Sequence, residues 1–290
     1  MDRLIYTNAI GQIVEFSPTS KYKLQSITDL GGTDVINRSI SSPFQDGSSP
    51  VGDSYFNSRL LRVEIATFSN DLVSDLRGLD TILNPKIGNG ELKFEQNGDA
   101  RVLSPVKIRQ MPTRLRGKDH GKTFQISSLI FEAFNPFYTD SLFNETNVTT
   151  GANVFSFPVN ITDTFIFDYL NEEGIIAINE GDVECPVTII FDGPQTAPLQ
   201  VENITTGEKI VISLSLEVDE RLTITTNIED TNVILTNLST GEETVAFQYI
   251  DVAQTTFFQL VKGINNIKIS ANEAAIEEAT VRFKNRYVGV

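Results

Sequence analysis

Alternating apolar and polar positions run through most of the chain and predict β-strands from one end to the other. The run at 61–65 places Leu, Val and Ile between Arg and Glu, which is typical of a strand with one buried face. Further apolar positions follow at 92–94 and 102–108, on either side of Asn97-Gly98. Because Asn-Gly between two strand-like runs is the strongest short hairpin signal, we expect a tight turn there.

One stretch of the first half has helical rather than strand periodicity. Leucines recur at spacings of 4, 3 and 4 residues, at Leu72, Leu76, Leu79 and Leu83, so one face of a helix is apolar. Ser69 stands where an N-cap is expected, and Asn84-Pro85 ends the pattern. The sequence predicts a single helix in this region.

After residue 138 the pattern is almost entirely that of strands. Alternation is clear at 187–191 and is strict from 210 to 218, and Gly, Asn and Asp turns separate the runs. Short strands of this kind over about 150 residues predict an antiparallel β-sandwich. Cys185 precedes Pro186 at a strand start, which favours a buried structural thiol over a nucleophile.

A change in charge divides the chain near the aromatic stretch 131–138. Up to Tyr138 there are 16 Lys and Arg against 15 Asp and Glu, a net of +1, and from Thr139 onward 7 against 23, a net of −16. Such a shift predicts two domains, 1–138 and 139–290. The stretch itself is a hinge or packed junction, or a core strand that ends in a turn, and both descriptions can hold together.

Residues 41–54 are too rich in turn-forming residues to predict a regular element. They form a long loop, which is either an ordinary surface loop or an arm that docks on a neighbouring subunit. The residues that define this candidate arm are Pro43, Phe44, Asp46, Gly47 and Pro50.

A basic segment spans 107–122 and predicts a strand, a loop with Gly117 and Gly121, and the start of the next strand. Its cationic residues are Lys107, Arg109, Arg114, Arg116, Lys118 and Lys122. They form either a solvated loop or a positive patch that faces an anionic partner or DNA. His120 is expected to be an exposed loop residue.

The composition makes several classes of chemistry improbable. One histidine and one cysteine leave no simple way to build a histidine metal site, a catalytic triad or an internal disulfide, and we expect no cofactor. Acidic residues are plentiful, but pairs adjacent in sequence would point to opposite faces of a strand, so an enzyme with two paired carboxylates is disfavoured. The acidic net charge of −15 argues against wrapping nucleic acid. We expect neither a signal peptide nor membrane insertion.

The order of several short motifs resembles a known family. The helix that ends in Asn-Pro is followed by Gly90-Glu-Leu-Lys-Phe94 and by the aromatic stretch 131–138. Later motifs include Phe191-Asp-Gly193, Gly263-Ile-Asn-Asn-Ile267 and the tail Arg286-Tyr-Val-Gly-Val290. Over nearly the whole chain, this order is similar to that of the distal tail proteins of long-tailed, non-contractile phages.

The resemblance implies a mainly β protein with a structural role. It implies an N-terminal tail-tube-like β-barrel or sandwich domain with one α-helix, and a C-terminal galectin-like antiparallel β-sandwich. Members form a homo-hexameric ring at the virion tail tip, assembled in the host bacterial cytoplasm, with a channel through which DNA passes. The implied partners are the major tail tube protein, the tail-tip hub or fibre protein, the tape-measure protein and a receptor-binding protein. The alternative is a carbohydrate-binding module that contacts a host cell-wall glycan.

Overall fold

The computed structural model describes residues 2–44, 46–117, 119–149, 175–272, 274–275 and 278–290. They group into two compact units. The first unit contains residues 1–141 together with the C-terminal residues 287–290, and the second contains residues 142–286.

The first unit contains one α-helix among its described residues and most of the chain's longer strands. Its elements are β1 (Arg3–Thr7), β2 (Ile13–Phe16), β3 (Tyr22–Thr28), β4 (Val35–Ile36), β5 (Ser39–Ile40), β6 (Ser49–Pro50), β7 (Tyr55–Phe56), β8 (Arg59–Phe68), α1 (Leu72–Ile82), a 3-10 turn (Pro85–Ile87), β9 (Gly90–Gln96), β10 (Asp99–Arg114), β11 (Phe124–Ala133) and β12 (Tyr138–Asp140).

Seven of these strands close into a barrel. Their order is β11-β8-β3-β2-β1-β9-β10, and β10 pairs again with β11 to complete the circle. The β2–β3 pair is parallel, and the other pairs are antiparallel. Closure is possible because β10 has 16 residues: its first part pairs with β9 and its second part with β11. A closed barrel leaves no free edge in the circle itself.

The barrel interior is apolar, and α1 completes it. Leu61, Val63 and Ile65 of β8 are buried, as their alternation predicted. Leu79 and Leu83 join the same cluster, so the apolar face of the helix packs against the barrel core. The helix itself is confirmed, but the N-cap expected at Ser69 is wrong.

Asp71 caps the helix instead of Ser69. Its carboxylate accepts a hydrogen bond from the Ser74 N–H at 3.3 Å. The Ser69 hydroxyl accepts the Asp71 N–H at 3.0 Å, so the serine supports the cap from two residues earlier. Asn84 ends the helix and accepts the Lys86 N–H, as expected for an Asn-Pro stop.

The hairpin predicted at Asn97-Gly98 is confirmed. Strand β9 ends one residue before it and β10 begins one residue after it. Both turn residues have positive φ, 52° for Asn97 and 94° for Gly98, as a two-residue type I′ turn requires.

The second unit is an antiparallel β-sandwich. Its strands are β13 (Asn144–Thr149), β14 (Ile175–Asn179), β15 (Cys185–Asp192), β16 (Leu199–Asn203), β17 (Glu208–Ile212), β18 (Glu220–Thr225), β19 (Asn232–Asn237), β20 (Glu243–Val245), β21 (Gln259–Leu260), β22 (Gly263–Ala271), β23 (Ala274–Ala275) and β24 (Glu278–Phe283), with a 3-10 turn at Phe247–Tyr249. One sheet follows the order β13-β24-β15-β18-β19-β20 with β21 beside β15, and the other follows β14-β22-β16-β17 with β23 beside β22. The protein is therefore mainly β, as expected.

Two predictions made for the second unit can be compared with its structure. Cys185 is buried in its core, as expected for a structural thiol. The continuous strand expected over 210–218 is wrong, because β17 ends at Ile212. The Ser213 N–H then bonds to the Tyr249 carbonyl, and Leu216 forms an isolated bridge with Gln195. The apolar alternation of the sequence continues past Ile212, so it gives no sign that the strand ends there.

The aromatic stretch 131–138 contributes core residues to the first unit. Phe131 and Tyr138 are buried there, and β12 pairs with β10 beyond the stretch. Strand β25 (Arg286–Tyr287) lies beside β12 at the margin of the same sheet. The C-terminal residues 287–290 thus belong to the first unit.

Candidate functional site

The candidate arm 41–54 is the outer part of a longer two-stranded β-ribbon inserted between β3 and β8, and the term arm now covers the whole ribbon, residues 33–57. Strand β4 pairs with β7, and β5 pairs with β6 nearer the tip. Bonds from the Val51 N–H to the Arg38 carbonyl and from the Asn57 N–H to the Asp34 carbonyl extend the ladder. The sequence did not predict this ribbon, because turn-forming residues dominate 41–54. Ser49–Pro50 nevertheless forms a strand.

The ribbon exposes apolar side chains that no part of the described chain covers. The exposed members are Val35, Ile36, Ile40, Phe44, Val51 and Tyr55. The five residues that defined the arm are all exposed, and four of them, Pro43, Phe44, Asp46 and Gly47, lie at the tip. Phe44 has a φ of 64°, which is unusual for a bulky residue. A fully exposed aromatic in a disfavoured conformation points to a role outside the isolated chain.

A buried arginine fixes the root of the arm. Arg59 is 0% exposed, and its guanidinium donates to five backbone carbonyls and to no carboxylate. Those carbonyls belong to Asp29, Leu30, Gly32, Pro136 and Val288, at 2.5–3.2 Å. One side chain thereby joins the arm root, the aromatic stretch and the C-terminal tail.

The surroundings of Arg59 are strongly desolvated. Its guanidinium lies 4.7 Å from the centre of the Tyr138 ring, and burial lowers the pKa of Arg59. Burial also raises the pKa of Tyr138 to about 12. The sequence analysis did not predict a role for Arg59, although one signal was present. Arg59 lies two residues before Leu61 and four before Val63, so it is on the same buried face of β8.

The structure confirms the strand, loop and strand predicted for the basic segment, but several of its charges are compensated. Arg114 forms a two-pronged ion pair with Asp80 of α1, with N–O distances of 2.8 and 2.5 Å. Arg109 lies 3.3 Å from Glu132 on the adjacent strand. Lys107 is exposed, with its ammonium 5.9 Å from the centre of the Phe134 ring. The strand portion is therefore not a uniformly positive surface.

The loop 115–123 is held in place by the buried Gln125. The Gln125 amide donates to the Leu115, Asp119 and Ile126 carbonyls at 2.7–3.1 Å. Its oxygen lies 2.8 Å from His120 Nδ1. His120 is exposed as expected, and this contact gives it a structural part in the loop.

This loop and the strand ends beside it carry both uncompensated cations and exposed apolar groups. Arg116 and Lys122 are exposed and form no ion pair within the described part of the chain. Lys118, between them in sequence, lies outside the described residues. Phe68 is 52% exposed and stacks on Phe124, with ring centres 6.3 Å apart.

Neither a cluster of metal-ligating side chains nor a helix that could span a membrane occurs in the described ranges. No group of three or more His, Cys, Asp or Glu side chains there could hold a metal ion. None of the helices found in those ranges is long and apolar enough to cross a membrane.

Comparison with known proteins finds similarity to phage tail components. Residues 180–287 match the family model of the siphovirus-type tail component, C-terminal domain. This match confirms the resemblance inferred from the sequence over most of the second unit. Among curated proteins, none matches the chain significantly.

Solved structures extend the similarity in fold to the whole chain. The SPP1 Dit (gp 19.1) protein, described as a paradigm of the hub adsorption apparatus in phages that infect Gram-positive bacteria, has a TM-score of 0.69 at 13% identity, over 99% of each chain. A chain of the activated phage P2 baseplate with Ca has a TM-score of 0.60 at 12% identity, over 100% of this chain and 99% of that one. The corresponding baseplate with Sr has a TM-score of 0.55 at 11% identity, over all of both chains.

Proposed function

We propose that this protein is a structural component at the distal end of a phage tail, where six copies form a ring around a channel. The observation that carries the proposal is the agreement in fold with a hub adsorption protein over 99% of both chains. The barrel unit builds the ring, and the sandwich unit serves attachment. The role is structural and not catalytic.

The arm supports a role in assembly. A monomeric protein rarely leaves a row of large apolar side chains in water, and such rows mark surfaces that another chain covers. The arm exposes six of them. Because Arg59 fixes the arm root through five hydrogen bonds, the arm leaves the barrel in a defined direction.

The partners follow from this position in the tail. The ring joins the major tail tube protein to the tail-tip hub or fibre protein, and it contacts the tape-measure protein and a receptor-binding protein. DNA passes transiently through the channel. The basic segment 107–122 faces either this channel or a partner protein.

Location in the virion tests the proposal directly. The turn Ser239–Glu242 of the second unit is exposed, so an epitope inserted after Gly241 leaves both cores intact. Gold-labelled antibody should decorate the distal tail end of virions that carry this insertion. Label along the tail shaft, or virions that lack the protein, would contradict the proposal.

Carbohydrate binding remains the alternative, and the described aromatic residues of the second unit give it little support. Its exposed aromatics within the described ranges are Phe143, Phe247 and Tyr249. Arg282 and Lys284 lie over the Phe143 ring, and Phe247 packs edge-on against Phe257. Sugars stack on open aromatic faces. The Phe143 and Phe247 rings are already in contact with other side chains, so Tyr249, which is 37% exposed, is the candidate that remains within the described ranges.

A further inference from the structure

We propose that the arm of one copy docks on the outer face of loop 115–123 of the neighbouring copy. This inference rests on the proposed ring and names the two surfaces that meet in it. The receiving surface, termed the loop patch, consists of Leu115, Arg116, Lys122, Phe68 and Phe124. The contact is head-to-tail, because each copy contributes its arm on one side and its loop patch on the other.

The two surfaces are complementary in charge. Residues 33–57 of the arm contain Asp34, Asp46 and Asp53 against Arg38, a net of −2. Residues 115–123 contain three cations against Asp119, a net of +2 with His120 neutral. Since Arg116 and Lys122 form no ion pair in the described chain, their charges remain available to a partner.

Both surfaces also combine exposed apolar side chains with charges. The arm presents exposed Ile40 and Phe44, and the loop patch presents exposed Leu115 and Phe68. Apolar centres with a charged rim are the usual anatomy of a protein interface. Duplex DNA would use the cations but not the apolar side chains, so a protein segment fits the loop patch better than DNA does.

The loop patch is organised before any partner arrives. Gln125 holds the loop through three carbonyls, and the Phe124 ring packs directly on Gly121. A Cβ on Gly121 would lie 2.4 Å from that ring. Glycine is thus required for the ring to lie between the loop and Phe68. A prearranged surface loses little conformational entropy on binding.

The topology places arm and loop patch at opposite ends of one strand. The arm joins β8 at Arg59, and Phe68 is the last residue of the same strand. Ten residues of strand span about 30 Å. Surfaces separated in this way allow each copy to bind one neighbour at each end, as ring closure requires.

Complementation between two defective variants tests the contact. An arm variant carries Ile40→Ser and Phe44→Ser, and a patch variant carries Arg116→Glu and Lys122→Glu in the full chain. Each variant alone should associate at least about tenfold more weakly than the unmodified chain, the patch variant through like-charge repulsion of the arm aspartates. Their mixture should form a dimer and nothing larger, because only one productive arm-patch pair remains. Light scattering on the separate and mixed proteins measures this.

Matched controls separate the contact from general effects. Ile13→Ser removes an apolar side chain of comparable exposure from β2, and Lys86→Glu with Lys268→Glu changes the net charge by the same amount. Both controls should associate like the unmodified chain. Rings that form equally well from the arm and patch variants would overturn the inference and leave the proposed ring untouched.

Crosslinking extends the test to conditions in which association is weak. In a Cys185→Ala background, copies with Phe44→Cys are mixed with copies carrying Leu115→Cys and oxidised. A disulfide between the two should form at least about tenfold faster than with Ile13→Cys copies, because docking raises the local concentration of the thiols. Equal rates would overturn the arm-patch contact even if the chain later proves to lie at the tail tip. A distal location is tested separately by the epitope label.

Discussion

Replacing Arg59 by lysine should destabilise the first unit and loosen the root of the arm. The buried guanidinium donates five hydrogen bonds to carbonyls from three separate segments. Lysine keeps the positive charge, but its ammonium has three donors on one atom and cannot reproduce the spread of the guanidinium. The substitution therefore changes geometry and hydrogen bonding while the charge stays the same.

The size of the effect follows from the bonds lost. With at most three donors for five carbonyls, at least two of the acceptors around the buried guanidinium lose their partner, at about 1–1.5 kcal/mol each. Arg59→Lys should thus cost about 2–3 kcal/mol of unfolding free energy, or roughly 5–10 °C in the melting temperature of a unit of this size. Arg59→Ala should cost more, about 3–5 kcal/mol, since all five acceptors and the packing are lost.

Calorimetry of the full chain measures this effect, because two compact units can give separate transitions. The transition of the first unit should move and that of the second should not. Arg62→Lys is the matched control: Arg62 is mostly exposed, the one ion pair that it forms with a described residue is at 4.0 Å, and the change should stay within about 0.5 kcal/mol. Limited trypsin digestion adds a local readout, since a looser root should accelerate cleavage after Arg38.

Equally small effects of Arg59→Lys and Arg62→Lys on the free energy of unfolding would contradict this prediction. That result would mean that the carbonyls around Arg59 find other donors, such as water, at no net cost. It would also remove the argument that a single side chain sets the direction of the arm.

Four further substitutions test the first unit. Gly90→Ala should destabilise the first unit by about 1–3 kcal/mol, because a Cβ would lie 2.6 Å from the Thr7 carbonyl oxygen. Gly78→Ala, in open space on α1, should instead stabilise it by about 0.5–1 kcal/mol. Equal shifts in melting temperature would contradict both predictions. The pKa of Tyr138 is about 12 in the folded protein and near 10 in the unfolded chain, so its contribution to stability is present below pH 10 and is lost as the pH rises toward 12. Tyr138→Phe should therefore make the free energy of unfolding less dependent on pH between 10 and 12. An unchanged pH dependence would contradict this prediction. Asp80→Asn should cost about 1 kcal/mol, since the ion pair to Arg114 is only partly exposed, and an unchanged melting temperature would show that apolar packing alone holds the helix.

Periodicity predicted the fold because burial repeats with the geometry of each element. The leucine spacing predicted α1, and the alternation at 61–65 identified the buried face of β8. Periodicity failed after Ile212, because the apolar alternation of the sequence continues to Val218 although the backbone turns to new partners and Val218 is 68% exposed. It also failed at Ser49–Pro50, where pairing between two short segments makes a ribbon that composition does not predict.

Only part of the candidate site could be predicted from the sequence. The tip of the arm and the basic loop were identified by composition, but neutralisation of Arg114 by Asp80 depends on how α1 packs on β10. The stacking of Phe68 on Phe124 depends on the register between β8 and β11. Contacts between distant segments of this kind are set by topology, which local patterns do not determine.

Light scattering gives the absolute mass of the purified protein, and negative-stain imaging shows whether the particles are rings. We expect a closed ring of six 32.1 kDa chains around an open centre, formed by the protein alone or on addition of the tail tube protein. A closed dimer or tetramer, or a chain that stays monomeric when the tail tube protein is present, would contradict it.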